Sequence, residues 1–404
     1  MKQFFLTIAL ACIGATTSAQ SISGTWNGEL VAGPQKIPLV LNLTADGKCT
    51  LDSPQQGAKG IPANVDFLSA DSLKVSVSSL NASYAAHLEN GELKGLFTQN
   101  GFKLPLNLKP GEPAKASRPQ TPQPPYPYET EEVTFTNDKA GAILAGTLTM
   151  PVGAKCVLLM VTGSGAQNRD EEVFEHKPFA VIADRLARAG IATLRYDDRA
   201  TGKSVGGMDA NATTKDFAED AATGIEWLRT SKRFKKVGIL GHSEGGTIAF
   251  MLGARQMVDF IVSLAGPGVK GDTLLAAQSN RILSLNGQPA TMTVEKYRQT
   301  ITSLQNPWIQ WFSDYDPSDD IRQTHCPVFA LNGDHDCQVI SSLNLPAIKR
   351  LLPASEKNLI KEYPSLNHLF QHCTTGLPTE YNEIEETISE EVLKDIAQWI
   401  LQQY

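Results

Sequence analysis

The spacing of apolar residues divides the chain into two regions with different predicted secondary structure. Residues 21–110 contain short runs, such as residues 37–43, in which apolar and polar positions alternate between turns. A period of two is typical of strands that bury one face. Asn90-Gly91 separates two such runs and predicts a tight hairpin turn. We therefore predict a small all-β domain over residues 20–109, either an antiparallel sandwich or a barrel.

After residue 128 the pattern changes to strands that alternate with amphipathic helices. Helical periodicity covers residues 179–189, 216–229, 345–352 and 392–401. The eight predicted strands are residues 133–135, 143–150, 157–162, 191–196, 237–241, 260–265, 328–332 and 359–363. This alternation is typical of a mostly parallel sheet with helices on both faces. We predict an α/β domain with an eight-stranded sheet over residues 129–404.

Two further segments interrupt this organisation. Residues 110–127 contain seven prolines, counting Pro110 and Pro127. Because proline extends the chain, residues 110–128 are predicted to be a semi-rigid linker. Residues 269–324 lack the alternation and are rich in aromatic residues. We predict that they form a helical cap over the ligand-binding edge of the sheet. Trp308 and Trp311 lie within this segment. They would either line an acyl pocket or serve only in packing.

The first residues have the three parts of a secretory signal. Lys2 precedes an apolar stretch at residues 4–15, and small residues follow up to Ala19. We expect cleavage near Ala19, a signal peptide of residues 1–19, and export to the periplasm or the medium. No apolar run reaches the roughly 20 residues that a spanning helix requires, so we predict no integral membrane segment.

Composition narrows the possible partners. The chain has a formal net charge of -7 and no long basic runs, which argues against nucleic acid and anionic membranes as partners. A small neutral or apolar substrate is favoured, and the oligomeric state stays open. Five cysteines follow the predicted signal, so the chain has no complete disulfide framework. Cys337 and Cys373 lie in loops that are expected to meet, and we hypothesise a bridge between them against the alternative of two buried thiols.

The motif G-H-S-E-G at residues 241–245 stands between an apolar strand pattern and a helical pattern. A serine at the tip of a strand-to-helix turn takes a strained conformation, so the positions two before and two after it need glycine. Gly241 and Gly245 meet this requirement. The motif predicts a nucleophile elbow with Ser243 at its tip, although the same pattern also occurs in ordinary glycine-rich turns.

A serine nucleophile needs a base, and the base needs an orienting carboxylate. His368 follows the last predicted strand and is our predicted base, with His372 as the rival. Asp336 follows the strand at residues 328–332 and is preferred as the acid over Asp334, for which a turn role is the alternative. A metal site at Asp334, His335 and Asp336 is not expected, because adjacent residues of one loop rarely converge on one ion. We therefore predict no metal, and the sequence implies no cofactor.

An oxyanion intermediate needs two N–H donors. The backbone amide of Glu244 would supply one, since it opens the helix after Ser243. The other is expected from the Thr162-Gly163-Ser164-Gly165 turn, with Ser164 as first choice and Gly165 as second.

With these motifs the chain resembles the α/β-hydrolase superfamily, and within it the EstD-like, two-domain secreted carboxylesterases of bacteria in the serine aminopeptidase-like branch. The resemblance rests on the G-H-S-E-G motif together with four further segments, which are residues 163–171, 195–199, 264–268 and 367–368. It implies an α/β-hydrolase fold, a triad of Ser243, Asp336 and His368, and an ester substrate of small or medium acyl length. Ala200 departs from the family pattern, which has glycine there.

Two other functions compete with carboxylesterase activity. A serine aminopeptidase or iminopeptidase would use the same triad and recognise a free amine, through Glu244 or the acidic residues Asp314, Asp316, Asp319 and Asp320. A non-catalytic protein whose β domain binds glycans or peptides is the third possibility, and the complete set of triad residues argues against it.

Overall fold

The computed structural model describes residues 22–32, 35–54, 58–112, 117–207 and 209–403. The described residues form two compact units, one ending at residue 112 and the other beginning at residue 117. The predicted signal peptide and its cleavage site near Ala19 lie outside the described residues. Within the described part of the chain, no helix combines the length and apolar character needed to cross a membrane.

The first unit is a closed antiparallel barrel in which each strand pairs with its sequence neighbours and β1 pairs with β8. Its strands are β1 (Gly24–Ala32), β2 (Gln35–Leu43), β3 (Cys49–Ser53), β4 (Ala58–Leu68), β5 (Ser72–Val77), β6 (Ala82–Glu89), β7 (Glu92–Gln99) and β8 (Phe102–Pro110). The predicted hairpin is confirmed, because Asn90 and Gly91 join β6 to β7 with φ of 52° and 81°. Of the two predicted β architectures, the chain adopts the barrel.

Alternate residues of these strands fill the barrel interior. Trp26 and Tyr84 are buried among leucines and valines, which is the arrangement that the period-two pattern requires. The Tyr84 hydroxyl lies 3.0 and 3.1 Å from the carbonyl oxygens of Leu93 and Leu106, so its one O–H has an acceptor inside the core.

The second unit is built on a mixed sheet with the order β13-β10-β12-β11-β14-β15-β16-β17, and β9 pairs with β10. Its strands are β9 (Glu129–Asn137), β10 (Ala142–Met150), β11 (Cys156–Val161), β12 (Ala192–Tyr196), β13 (Val205–Gly206), β14 (Lys236–His242), β15 (Ile261–Leu264), β16 (Val328–Gly333) and β17 (Leu359–Tyr363). The pairs from β12 to β17 are parallel, and those of β10 are antiparallel.

The predicted count of eight strands is wrong by one. All eight predicted strands form, but Val205–Gly206 adds a ninth that pairs with Ala142 and Ile143 at the edge of the sheet. Two residues are too few to show an alternating pattern, and both are exposed. This strand forms because the loop after β12 returns along β10, a long-range contact that local periodicity does not contain.

Helices cover both faces of this sheet. They are α1 (Pro178–Arg188), α2 (Thr214–Thr230), α3 (Glu244–Ala254), α4 (Gly271–Leu285), α5 (Val294–Thr302), α6 (Pro307–Asp314), α7 (Ser318–Gln323), α8 (Ser341–Leu351) and α9 (Glu390–Leu401). Helices α1 and α9 bury their apolar residues in one core cluster, whereas α2, α3 and α8 contribute to the cluster on the opposite face. Helices α4 to α7 occupy the segment between β15 and β16 that was predicted as the cap.

Residues 118–128, predicted as part of a spacer, lie instead against the second unit. The Arg118 guanidinium donates to the carbonyl oxygens of Phe174, Asn382 and Ile384 at 2.9 to 3.2 Å. Gln120 bonds to the backbone of Thr387 and Ile388. The spacer interpretation is therefore wrong for these residues, because side chains between the prolines satisfy backbone groups of the α/β unit.

Candidate active site

Ser243 lies at the tip of the sharp turn between β14 and α3, with φ 53° and ψ −117°. Its amide donates to the Leu264 carbonyl at 2.8 Å. Both flanking glycines are required by close approach: a Cβ on Gly241 would lie 1.9 Å from the Gly245 carbonyl oxygen, and one on Gly245 2.2 Å from that of Val161. The strained serine is held on two sides by backbone, as a nucleophile elbow requires.

Asp336 and His368 lie in the loops that follow β16 and β17, and a hydrogen bond joins them. His368 Nδ1 and Asp336 Oδ2 are 2.7 Å apart, and both residues are buried. Asp336 Oδ1 accepts the backbone amides of Gln338 and Val339 at 2.7 and 2.9 Å. Because an ionised Asp336 accepts from Nδ1–H, the opposite nitrogen, Nε2, keeps its lone pair and is available as a base.

The two rival residues have other roles in the structure. The His372 side chain is 63% exposed and its ring bonds to Glu386. Asp334 accepts the amide of Ser365 at 2.6 Å and pairs with His335. Both contacts fasten surface turns and leave the buried pair to Asp336 and His368.

The sheet order brings these loops to one edge, since β11, β14, β15, β16 and β17 are parallel neighbours and their carboxyl ends lie side by side. The rings of His242 and His368 are 4.7 Å apart between centroids, so His368 adjoins the residue before Ser243. A Cβ on Gly163 would lie 3.3 Å from Ser243 Cβ, so the turn after β11 meets the elbow directly.

The turn after β11 leaves a restricted choice of oxyanion donors. The Gly163 amide donates to Glu171 Oε1 at 2.7 Å, so its N–H is already engaged. Ser164 and Gly165, the two predicted candidates, follow it and are exposed. The amide of Glu244 is the first N–H of α3, and a helix leaves its first N–H groups without an intrahelical acceptor.

Comparisons with known proteins agree with this architecture. The family model described as serine aminopeptidase, S33, matches residues 175–314. Esterase EstD of Thermotoga maritima is 24% identical over 336 residues, which are 79% of this chain and 79% of EstD. The chain is a carboxylesterase-type hydrolase similar to EstD.

Two esterases are among the solved structures that the chain matches. An esterase of Pyrococcus furiosus is 17% identical, with a TM-score of 0.48, over 71% of this chain and 98% of its own. Est1E of Butyrivibrio proteoclasticus with bound ferulic acid is 18% identical, with a TM-score of 0.48, over 67% of this chain and 98% of its own.

The turn at residues 162–165, which is predicted to supply an oxyanion donor and is called the oxyanion turn below, is braced by residues whose role the sequence patterns did not predict. Asp198 is buried and its Oδ2 accepts the Thr162 hydroxyl at 3.1 Å and the Gln167 amide at 2.8 Å. Asp197 bonds to the backbone and guanidinium of Arg169. Burial raises the pKa of Asp198 to about 7. The only sequence signal for these roles was the family motif at residues 195–199.

One side chain of the α4–α7 segment, Trp308, bonds to α3, the helix that follows Ser243 and is called the elbow helix below. Trp308 Nε1 donates to Glu244 Oε1 at 2.9 Å, and the Trp308 ring stacks on Phe312. Trp311 stacks on Tyr315 instead. Burial raises the pKa of Glu244, while the bond from Trp308 opposes this rise. Trp308 therefore lies next to the predicted nucleophile, and Trp311 contributes to packing.

The hypothesised disulfide bridge is absent. Cys337 and Cys373 are free thiols, and they contact the carbonyls of Gly376 and Ser365. Burial raises the pKa of the Cys337 thiol to about 12. The alternative of two buried thiols holds for Cys337, whereas Cys373 is only half-buried.

Proposed function

We propose that this hydrolase cleaves carboxylic esters through an acyl-enzyme on Ser243. His368 Nε2 takes the proton of the Ser243 hydroxyl while the oxygen attacks the ester carbonyl carbon. The tetrahedral intermediate collapses, the bond to the alcohol oxygen breaks, and His368 returns the proton to the leaving alcohol. Water then attacks the acyl-enzyme by the same route and releases the acid.

The observation that carries this proposal is the buried hydrogen bond between Asp336 and His368 at the sheet edge that bears the strained Ser243. Asp336 is held by two backbone amides, so its carboxylate fixes the imidazole ring and stabilises the imidazolium that forms during attack. The amides of Glu244 and Ser164 are proposed as the oxyanion donors, each worth about two to three orders of magnitude in rate.

The substrate is proposed to be a small-molecule ester with a small or medium acyl chain. Leu274, Phe312 and Val339 form an apolar cluster with Trp308 packed against it, and Val339 is three residues from Asp336. Trp308 is bonded to Glu244, directly after the nucleophile. An apolar acyl chain would gain from burial against this cluster.

Hydrolysis of 4-nitrophenyl esters of increasing acyl length tests the proposal. Ser243→Ala is expected to lower kcat by about 10⁶-fold, as removal of a triad serine does in other hydrolases. Ser355→Ala, at an exposed serine, is the matched control and should behave as the parent. A fluorophosphonate probe should label Ser243. Labelling at another residue, or activity that survives Ser243→Ala, would overturn the proposal.

Aminopeptidase activity is the second candidate, favoured by the description of the matching family model. Its amine-binding candidates are already engaged. Glu244 accepts from Trp308, Asp314 pairs with Arg298, and Asp319 pairs with Arg322. Faster turnover of aminoacyl anilides than of 4-nitrophenyl butyrate would favour the peptidase.

Export to the periplasm or the medium is proposed from the first 19 residues. N-terminal sequencing of the protein recovered outside the cytoplasm is expected to begin at Gln20. An intact Met1 in that fraction would contradict cleavage.

A further inference from the structure

A second histidine and a second carboxylate form a buried pair beside the proposed triad. Glu171 Oε1 and His242 Nδ1 are 2.9 Å apart, and the two residues are only 3% and 6% exposed. The other ring nitrogen of His242, Nε2, is 3.0 Å from the backbone carbonyl oxygen of His368. The mechanism proposed above uses neither side chain.

The contacts of the His242 ring determine its protonation state. A carboxylate oxygen faces Nδ1 and a carbonyl oxygen faces Nε2. Two acceptor oxygens are satisfied together when both ring nitrogens donate, which is the imidazolium form. Glu171 and His242 therefore form a buried ion pair.

The same carboxylate oxygen also holds the oxyanion turn. Glu171 Oε1 accepts the amide of Gly163 at 2.7 Å, and a Cβ on Gly163 would lie 3.3 Å from both Glu171 Oε1 and Ser243 Cβ. Glu171 Oε1 thus links Gly163, which precedes Ser164, to His242, which precedes Ser243. Through Nε2, the link continues to the backbone of His368.

We propose that Glu171 and His242 are positioning residues that fix the oxyanion turn, the elbow and the His368 loop relative to one another, and that they do so only while His242 is protonated. This inference rests on the proposed function. Neither residue touches the substrate carbonyl in this scheme. They act by holding Ser164 and His368, and small displacements of such groups cost rate steeply.

The polar and charged groups that face His242 come from three loops. Glu171 faces it from the loop after β11, His368 from the loop after β17, and Asp336 from the loop after β16. Burial acts to lower the pKa of His242, but the charge and hydrogen bond of Glu171, the His368 carbonyl and Asp336 together raise it above its usual value. This direction favours the imidazolium form that the two acceptors around the ring call for.

Conservative variants separate the two hydrogen bonds of His242. The Gln nitrogen in His242→Gln matches the reach of Nε2 toward the His368 carbonyl, whereas that in His242→Asn matches Nδ1 and keeps the bond to Glu171. Glu171→Gln keeps an acceptor oxygen for Gly163 and removes the charge. The matched control is His372→Gln, which breaks an exposed His–Glu pair on the surface.

Each variant is titrated with a fluorophosphonate, so that kcat is expressed per functional Ser243 and misfolded protein is excluded. We expect kcat to fall about 10- to 100-fold in the His242 variants and KM to change little, since positioning acts on the reacting groups. Glu171→Gln should retain more activity than Glu171→Ala. His372→Gln should match the parent.

The pH profile is the readout that a merely structural role would not change. The parent should lose kcat in alkaline solution as His242 releases its proton, and His242→Gln, which has no such proton, should lose this limb. Parent-like kcat per titrated site in His242→Gln and Glu171→Gln, or an unchanged alkaline limb in His242→Gln, would overturn the proposal. Ser243→Ala in the same assay distinguishes the failures: activity that survives there overturns the proposed function as well.

Discussion

Asp198 has a buried carboxyl group that accepts hydrogen bonds from Thr162 and Gln167 in the loop after β11. Because burial raises its pKa to about 7, the folded chain holds a proton that the unfolded chain releases near its ordinary value of 3.8. Between these two values the stability contributed by this group falls as pH rises. The parent should therefore lose thermal stability between pH 5 and pH 8 through this group. Asp198→Asn has no such proton to release, so its melting temperature should rise relative to that of the parent over the same pH range.

Melting temperatures of the parent and Asp198→Asn at the two pH values provide the measurement. Asp138→Asn, at an exposed aspartate, is the control and should show no such trend. A difference between Asp198→Asn and the parent that stays constant with pH would mean that Asp198 does not titrate as proposed.

Ala200 has a backbone conformation that a Cβ disfavours. Its φ is 56°, in the left-handed region where a Cβ is unfavourable by about 1–2 kcal/mol. Glycine would relieve this strain but would lose about 0.4–1 kcal/mol through greater freedom of the unfolded chain. Ala200→Gly is thus expected to raise the free energy of unfolding by about 0.5–1 kcal/mol.

Urea unfolding followed by loss of ester hydrolysis measures this change. Ala189→Gly tests the same substitution where φ is −90°, and it should lower stability because no strain is relieved there. Equal effects at the two positions would contradict the strain argument.

At the level of single residues, the sequence predicted the groups that belong to a local pattern. Ser243 was found because glycines flank it, and Asp336 and His368 because each follows a strand. Glu171 was missed because its partner His242 lies 71 positions away, and His242 is 126 positions from His368. No periodicity reports such a contact, so a glutamate in a loop and a histidine inside the elbow motif appeared unremarkable.

Helix α6 is linked to the elbow helix by the bond from Trp308 to Glu244. Trp308→Phe removes the N–H donor and leaves a ring to stack on Phe312. A hydrogen bond is worth about 0.5–1.5 kcal/mol, and a buried acceptor left without its donor costs about 1–3 kcal/mol, so we expect the α/β unit to lose roughly 1–2 kcal/mol. Trp311→Phe makes the same change in volume beside Tyr315 and should cost less. Urea midpoints for loss of activity compare the two, and equal losses would assign the effect to packing alone.

The segment at residues 118–128 is fastened to the α/β unit mainly by Arg118. Arg118→Ala leaves three carbonyl acceptors without their donor, and we expect a loss of about 1–3 kcal/mol and faster proteolysis within this segment. Arg118→Lys should be intermediate, because an ammonium group cannot reproduce the planar set of donors. Arg322→Ala, which removes an exposed pair with Asp319, should change little. Cleavage rates that do not respond to Arg118→Ala would return the segment to the spacer interpretation.

For whole elements, prediction failed where long-range pairing decides the outcome. Eight strands of the second unit carry enough apolar residues to be recognised, whereas Val205–Gly206 becomes a strand only through its register with Ala142 and Ile143. The choice between barrel and sandwich depended on β1 pairing with β8, where Trp26 lies opposite Pro110. Alternation in each strand is compatible with either closure, so the sequence left both open.

For the whole molecule, the division of the core indicates which part carries the chemistry. The barrel has its own apolar cluster between Ile22 and Leu108, while the two clusters of the second unit run from Val133 to Leu352 and from Cys156 to Ile400. Every residue assigned to the triad, the oxyanion donors or the Glu171–His242 pair belongs to the second unit. A unit with its own core is expected to fold by itself.

We therefore expect a fragment of residues 117–404 to fold and to hydrolyse a short, soluble 4-nitrophenyl ester with kcat/KM within about threefold of the full chain. The fragment keeps Arg118 and Gln120, which fasten its first residues to the body of the unit. Circular dichroism establishes folding, and fluorophosphonate titration counts functional sites in both proteins. A folded, fully titratable fragment whose kcat/KM is more than about tenfold lower has lost about 1.4 kcal/mol of transition-state stabilisation. That result would mean that the barrel contributes directly to the site. Equal rates on the short ester with a deficit only on long-chain or polymeric esters would instead assign the barrel to substrate recruitment.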